Sequence, residues 1–219
     1  MNIAIIGGGD HALEVLNYII DNNLLYKKIH GIYIIDKNKK NFTLFKKISK
    51  KIYFLPTIPS LKKIKDIKAC ISFGEPNLRK KSFTELKKNN INLFSVIHKT
   101  SYISRSAILA NGIIVAPNCV IAPFANIKEN VLINSGAVVG HHSLLNLHTV
   151  MSPNSFIAGH SKVGRGCLLG PNSSILQNVH LGDYSRLSAS SVLYKNTSKY
   201  SLSHGNPAKS KSFYKSTNS

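Results

Sequence analysis

A chain of 219 residues holds one large domain or two small ones, each able to bury its own core. Lys and Arg outnumber Asp and Glu by 29 to 9, a net charge of +20, which favours anionic partners such as nucleotides, phosphates, nucleic acid or anionic lipid. The lysines are spread over the first 100 residues and the tail without interleaved aromatics, so they read as a solvated basic surface, and no nucleic-acid partner is expected. Cys70, Cys119 and Cys167 are far apart and odd in number, which argues against a disulfide framework or a zinc knuckle and for small buried residues in a reducing compartment. The N-terminus, IAIIGGGDHALEVL, lacks a basic leader, and no apolar run is long enough to span a bilayer. The expected location is cytoplasmic, with no integral membrane segment.

In chain order, NIAII reads as a strand, GGG as a turn and His11 to Ile20 as a helix. A second aliphatic run, Ile32 to Ile35, ends in Asp36, and a strand is expected near Ile52 to Leu55. A further run, Ala69 to Phe73, precedes a helix around residues 77 to 89. Strands alternating with helices predict a small Rossmann-like parallel sheet of βαβ units over residues 1–97. GGGDHA fits G-x-G-x-x-A between strand and helix, with an acidic residue closing the next strand. Glycines there let the backbone approach a phosphate, whose charge the helix N-terminus favours. A dinucleotide suits that motif, but the βαβ segment is short for a full dinucleotide fold, and a nucleotide-linked sugar fits better.

From residue 101 the pattern changes. Stepping by six from Ile103 to Leu193, all sixteen positions are aliphatic or Met, and the residue two places earlier is nearly always small or compact. A period of six with one apolar and one small residue is the hexapeptide signature of a parallel β-helix, three units to a triangular coil. The expected organisation is therefore α/β followed by β: residues 1–97, a β-helix over 98–194, and a tail or cap over 195–219 containing HGNPAK. The open ends of such a solenoid need caps, and the first domain and the tail are placed to supply them.

GGGDHA, Asp36, SFGEPNLRKK at 72–81, VIHKTSYIS, VVGHHS and GNPAK together resemble the NeuD/PglD family of bacterial sugar acetyltransferases over nearly the whole chain. The resemblance implies a left-handed β-helix that forms a homotrimer, with acetyl-CoA as co-substrate in a groove between neighbouring helices and no metal. It implies a nucleotide-linked amino sugar or a sialic-type sugar held by the first domain, and a histidine base at His141. The family usually has Glu or Asp at the next position; this sequence has His142. Acetyl-CoA contacts carried over by the hexad register fall at Val150, Gly159, Pro171 and Ala189, several through backbone groups. A histidine common at the position of Val150 is absent, although His148 lies two residues before it. Substrate contacts fall at Gly9, Asp10 and His11, with Asp36 and Lys37 near the sugar or base. Asp10 stands where Gly is usual, and a carboxylate there would repel a diphosphate.

Acetyl transfer from a thioester needs a nucleophile that loses its proton as it attacks, and imidazole titrates near neutrality. His141, two places after the inward Val139, falls near a prism corner. His142 can accept a hydrogen bond when neutral but brings no negative charge, so it is read as an orienting or substrate-contacting residue. His148 and His160 are read as surface residues, with cofactor contact as the alternative, and His180 and His204 are given no role. Two other functions fit the same residues: sialic acid O-acetylation, and a non-catalytic trimeric binding or scaffold protein that has lost the acid after His141.

Overall fold

The computed structural model describes residues 1–39 and 41–213. In the first domain β1 (Asn2–Ile6), α1 (Asp10–Asp21), a short α2 (Asn23–Lys27), β2 (Gly31–Ile35), α3 (Phe42–Ile48), β3 (Ile52–Leu55), β4 (Ile67–Ile71), α4 (Pro76–Lys88) and β5 (Asn92–Leu93) follow one another. All neighbouring strands are parallel, in the order β3-β2-β1-β4-β5. β1 is Asn-Ile-Ala-Ile-Ile, buried from Ile3 onward, because a parallel sheet covered by helices hides both faces of its central strand. Ala12, Val15, Leu16 and Ile19 give α1 one apolar stripe, which packs on that sheet. The strand order reverses at β1, and the crevice beyond the strand ends at such a reversal is where ligands bind in open α/β sheets.

From β6 (Val96–Ile97) to β22 (Val192–Leu193), strands of two residues recur every six. Each pairs in parallel with the strand three units away, as in Val120↔Val138 and Val138↔Phe156. This is the parallel β-helix expected from the hexads, left-handed as the resemblance implies, and it begins one unit earlier than Ile103. Its first face runs β6-β9-β12-β15-β18-β21, its second β7-β10-β13-β16-β19-β22 and its third β8-β11-β14-β17-β20. From β9 (Ile114–Val115) onward the second residue of each strand, for example Ile133, Val139 or Leu145, points inward and is buried, while Ile97, Ile103 and Leu109 at the first coil are partly buried. Where the small residue of the hexad is Ser or Thr, it also carries a bond. Ser143 Oγ donates to Ala158 O at 2.9 Å, Thr149 Oγ1 to Gly164 O at 2.8 Å and Ser161 Oγ to Leu176 O at 2.7 Å, each one coil on. The narrow interior thus selects a compact residue, and a hydroxyl there also occupies a carbonyl that water cannot reach.

The three faces differ outside. Outward residues of the second and third faces, such as Val120, Phe156 and Lys162, are exposed, whereas Ile114, Leu132 and Val150 on the first face are buried. They share one continuous apolar cluster with α1 and the first sheet. α1 meets β6, where Tyr18 packs edge-on against His98 and Asp21 accepts from His98 Nε2 at 3.1 Å. α4 runs along the corner between third and first faces: Arg79 bonds Asn130, Phe83 meets His148, Lys87 pairs with Glu129, and Glu75 pairs with Arg186. The first domain therefore covers the first face of the helix.

β23 (Ser201–Gly205) continues the first face beside β21 and turns back through β24 (Ala208–Ser212) as an antiparallel hairpin. Residues 214–219 of the expected tail lie outside the described residues. Cys70, Cys119 and Cys167 are free and buried. Among the described residues no helix is long and apolar enough to cross a membrane.

Candidate active site

A cleft of about 520 Å³ opens where the strand order reverses, lined by Gly7, Gly8, Gly9, Asp36, Lys37, Thr57, Phe73, Lys81 and Glu85 among others. The three glycines serve different needs. Gly7 has φ +109°, a left-handed conformation that side chains rarely adopt. A Cβ on Gly8 would lie 2.2 Å from Asp36 Oδ2, so Gly8 is what lets Asp36 stand against the turn. A Cβ on Gly9 would meet nothing within 4 Å, leaving the N-terminus of α1 open to the cleft. Asp36 Oδ1 accepts from Asn38 N at 2.9 Å, which fixes the carboxylate at the end of β2. Lys37 and Lys81 supply positive charge to the same cleft.

Gly9, Asp36 and Lys37 are thus brought together, while Asp10 and His11 are not among the lining residues. Asn41 Nδ2 donates to Asp10 Oδ1 at 2.9 Å and to Gly8 O at 3.2 Å, which turns the Asp10 carboxylate to the rim. His11 Nδ1 bonds Glu14 Oε2 at 3.0 Å, and its Nε2 is buried without a partner. Burial lowers the His11 pKa, Glu14 opposes that shift and the Arg79 charge adds to it.

The second cluster sits on the β-helix. His141 and His142 follow β13 (Val138–Val139) at the corner between second and third faces, and His160 occupies the same corner one coil on. All three are exposed. His141 Nδ1 and His142 Nδ1 are 3.1 Å apart, so one ring donates and the other accepts. His142 stacks on His160 with ring centres 4.7 Å apart and planes 9° from parallel, and on Phe124 at 4.9 Å. Phe124, His142 and His160 are spaced by one coil and have φ of 60°, 57° and 58°. Most other positions of this kind are Asn or Gly, for which the left-handed conformation costs less. A Cβ on Gly159 would lie 2.5 Å from His141 Cε1, so this glycine makes room for the His141 ring. Among the described residues, a carboxylate is bonded to neither His141 nor His142.

The expected cofactor residues separate. Gly159 lies beside His141, and Pro171 and Ala189 lie one coil apart at the corner between first and second faces. The expected contact at Val150 needs correction for its side chain, which is 3% exposed on the face beneath the first domain. Its outward position is used for domain docking, and its backbone is paired with strands on both sides.

Two features escaped the sequence reading. The first is the pairing of His160 with His142: it is the surface residue expected, but it stands one coil on in the hexad register and stacks on the His142 ring. The second is a buried polar junction between the domains. Arg79, fully buried, donates Nη1 to Ile71 O and Phe73 O at 2.6 and 3.0 Å and Nε to Asn130 O at 3.0 Å. Asn130 Nδ2 returns a bond to Arg79 O and reaches His148 Nδ1 at 2.9 Å. His148 is consequently buried and not a surface residue. Burial first, then the charges of Arg79 and Lys80, lower its pKa to about 4. In the sequence Arg79 is hidden inside LRKK, and only its helical spacing to the buried Ser82 and Leu86 marks it as inward.

Residues 2–86 match the model of the PglD N-terminal domain. Among curated relatives, 154 residues are 27% identical to serine acetyltransferase 2 of Arabidopsis thaliana, covering 64% of this chain and 46% of that protein. Seventy residues are 31% identical to the acyl-[acyl-carrier-protein]–UDP-N-acetylglucosamine O-acyltransferase of Burkholderia thailandensis, covering 32% and 27% of the two chains. The chain thus spans less than half the length of these curated relatives.

Solved structures match end to end. A histidine-to-asparagine variant of perosamine N-acetyltransferase from Caulobacter crescentus, in complex with CoA and GDP-perosamine, superposes with a TM-score of 0.85 at 24% identity over 96% of this chain and 97% of that one. The acetyltransferase domain of PglB from Neisseria gonorrhoeae, in complex with acetyl coenzyme A, gives 0.84 at 20% identity over 95% and 98%. WeeI from Acinetobacter baumannii gives 0.85 at 16% over 96% and 100%. These likenesses establish the fold read from the sequence, and the family match agrees with the resemblance over residues 2–86.

Proposed function

We propose that this chain, a PglD N-terminal domain joined to a left-handed β-helix, is an acetyl-CoA-dependent acetyltransferase acting on an amino group of a nucleotide-linked sugar. The observation that carries this reading is His141: an exposed imidazole on an outer corner, with Nδ1 engaged by His142 and Gly159 shaped around its ring. The ligands of the matched structures, CoA with GDP-perosamine in one and acetyl coenzyme A in another, favour this chemistry over the alternatives.

With the shared proton on His141 Nδ1, His142 Nδ1 accepts it and His141 Nε2 keeps its lone pair. Nε2 takes the proton from the sugar amine as its nitrogen attacks the thioester carbonyl, and returns it to the departing thiolate of CoA. His142 acts as the orienting group, sandwiched between Phe124 and His160. The cleft of the first domain takes the nucleotide end: the open N-terminus of α1 with Lys37 and Lys81 suits a diphosphate, and Asp36 suits ribose hydroxyls.

The proposed assembly is a homotrimer. Tyr102, Val120 and Phe156 on the second face, Ile108 on the third and Phe124 at their shared corner are exposed apolar side chains beside the histidines. A second copy laid on that stripe would remove it from water, and would let a ligand touching Gly159 also reach the Pro171 and Ala189 corner of a neighbour. Acetyl-CoA and nucleotide sugars as substrates place the proposed reaction in the cytoplasm.

The test is thiol release from acetyl-CoA across a panel of nucleotide-linked amino sugars and free sialic acids, alongside calorimetry with acetyl-CoA. Turnover on an amino-sugar nucleotide is expected. Turnover confined to sialic acids would select O-acetylation, and no acetyl-CoA binding would select the scaffold reading. Gly8→Ala supplies a separate check on the cleft, because its methyl group displaces Asp36. Affinity for the sugar nucleotide should fall by roughly tenfold or more, with acetyl-CoA affinity unchanged; equal sugar-nucleotide affinity would remove Asp36 from the site.

A further inference from the structure

We infer that His141, His142 and His160 form a binding site for one divalent transition-metal ion of the zinc class, and that occupancy withdraws the proposed base from acetyl transfer. The second clause rests on reading His141 as the base; the binding does not.

Each of the three side chains offers one ring nitrogen, and these atoms all lie within 4.8 Å of one another. Zinc bound by imidazole at 2.0–2.1 Å in tetrahedral geometry holds its nitrogens about 3.3 Å apart. The Nδ1 atoms of His141 and His142 are already 3.1 Å apart. An ion placed between them takes over the role of the proton they share. His160 lies face to face with His142, its plane 9° away. It must turn about its side-chain torsions to aim a nitrogen at the ion, a movement that an exposed side chain makes in picoseconds to nanoseconds.

The fourth ligand position is left to water, as in zinc sites with three protein ligands. Exposure removes the desolvation cost of bringing a dication to the site, and imidazole near neutral pH offers free lone pairs. A donor set of imidazole alone selects zinc, nickel or copper and gives nothing to magnesium or calcium, which take oxygen ligands. The backbone prepares the site. Successive coils repeat one corner conformation, so His142 and His160 are held in register, with Phe124 behind them and room at Gly159 for the His141 ring.

The experiment is equilibrium dialysis of the full chain, prepared without a polyhistidine tag and stripped with chelator, against Zn²⁺, with Co²⁺ as the spectroscopic probe. One ion per chain is expected, with visible cobalt bands of a four-coordinate site and no displacement by Mg²⁺. His142→Ala and His160→Ala should each weaken binding by about tenfold or more, and His180→Ala, at an exposed histidine on the third face, should not. Circular dichroism of each variant confirms the fold. Absence of saturable binding at one ion per chain, or wild-type affinity in His160→Ala, overturns the site. In acetyl transfer, zinc should inhibit reversibly, and the concentration for half inhibition should rise in His160→Ala by the factor seen in dialysis. Binding without inhibition overturns only the withdrawal of the base. A wild-type chain with no acetyl transfer would refute the proposed function while the dialysis result still stands.

Discussion

Replacing His141 by alanine is expected to lower kcat by about 10²- to 10⁴-fold, the usual contribution of a positioned general base, while acetyl-CoA affinity by calorimetry stays at the wild-type value. The separation of the two readouts follows from the site. The His141 ring is held from outside the helix, by the His142 nitrogen and the space above Gly159, so its removal leaves the coil interior intact. The inward Val139 and the corner backbone bonds, His142 N to Pro123 O and His160 N to His141 O, do not depend on the side chain. His142→Glu sharpens the test. A carboxylate would hold His141 Nδ1–H and stabilise the imidazolium formed during transfer, so kcat should equal or exceed that of the wild type. Wild-type turnover in His141→Ala would refute the base, and a His142→Glu enzyme as slow as His141→Ala would refute the orienting role of His142.

The second large effect is on stability. Folded His148 binds a proton only below about pH 4, because burial and then the charges of Arg79 and Lys80 disfavour its cation, against a weaker opposing pull from Glu129. The unfolded chain binds that proton near pH 6.5. Above pH 6.5 both states are neutral here, and the residue adds no pH dependence. Between 6.5 and 4 the unfolded state takes up a proton that the folded state refuses, so stability falls with falling pH. The full loss is about 3 kcal/mol, reached near pH 4. The hydrogen bond acts in the same direction as burial, since Asn130 Nδ2 already donates to His148 Nδ1 and a proton there would set two donors against each other. His148→Asn keeps an acceptor and suits the positive φ of the position. Denaturant unfolding between pH 7 and 5 should show a shallower acid slope in this variant. Part of the slope should remain, because burial lowers the pKa of His11 in the same direction. Equal slopes would mean that the junction does not exclude the proton. The variant also loses the Phe83 contact, at a cost of roughly 0.5–1.5 kcal/mol at neutral pH.

The β-helix was legible because every hexad repeats the same inward demand, an aliphatic residue such as Ile133 or Leu169 beside a compact one such as Ser143 or Ser173. The first domain was legible through NIAII, GGG and the strand at Ile52–Leu55, where buried parallel strands read as continuous aliphatic runs. The relation between the two was not. Leu132, Val138 and Val150 are all aliphatic outward residues, and only the docking of α1 and α4 makes the first and third buried and leaves the second partly open. The same reason separates the corner histidines. His142 and His148 stand in equivalent hexad positions, but His148 faces α4 and becomes part of a buried network, while His142 faces outward beside His141. In the candidate site, the glycine turn with Asp36 could be read from spacing, and Lys37 beside it came with the family resemblance. The turning away of Asp10 toward Asn41 could not, because that contact joins residues 31 positions apart.

The central claim, that an amino sugar on a nucleotide accepts acetyl from acetyl-CoA at this histidine corner, is tested most directly by the product of a single reaction. Purified chain, acetyl-CoA and a GDP- or UDP-linked amino sugar are mixed, and the sugar nucleotide is weighed by mass spectrometry as free thiol is counted. The account predicts one thiol released for each sugar nucleotide that gains one acetyl group on nitrogen, and an initial rate of both about 10²- to 10⁴-fold lower when His141→Ala replaces the wild type. Thiol release without an acetylated sugar nucleotide, or equal initial rates from both proteins, would contradict it.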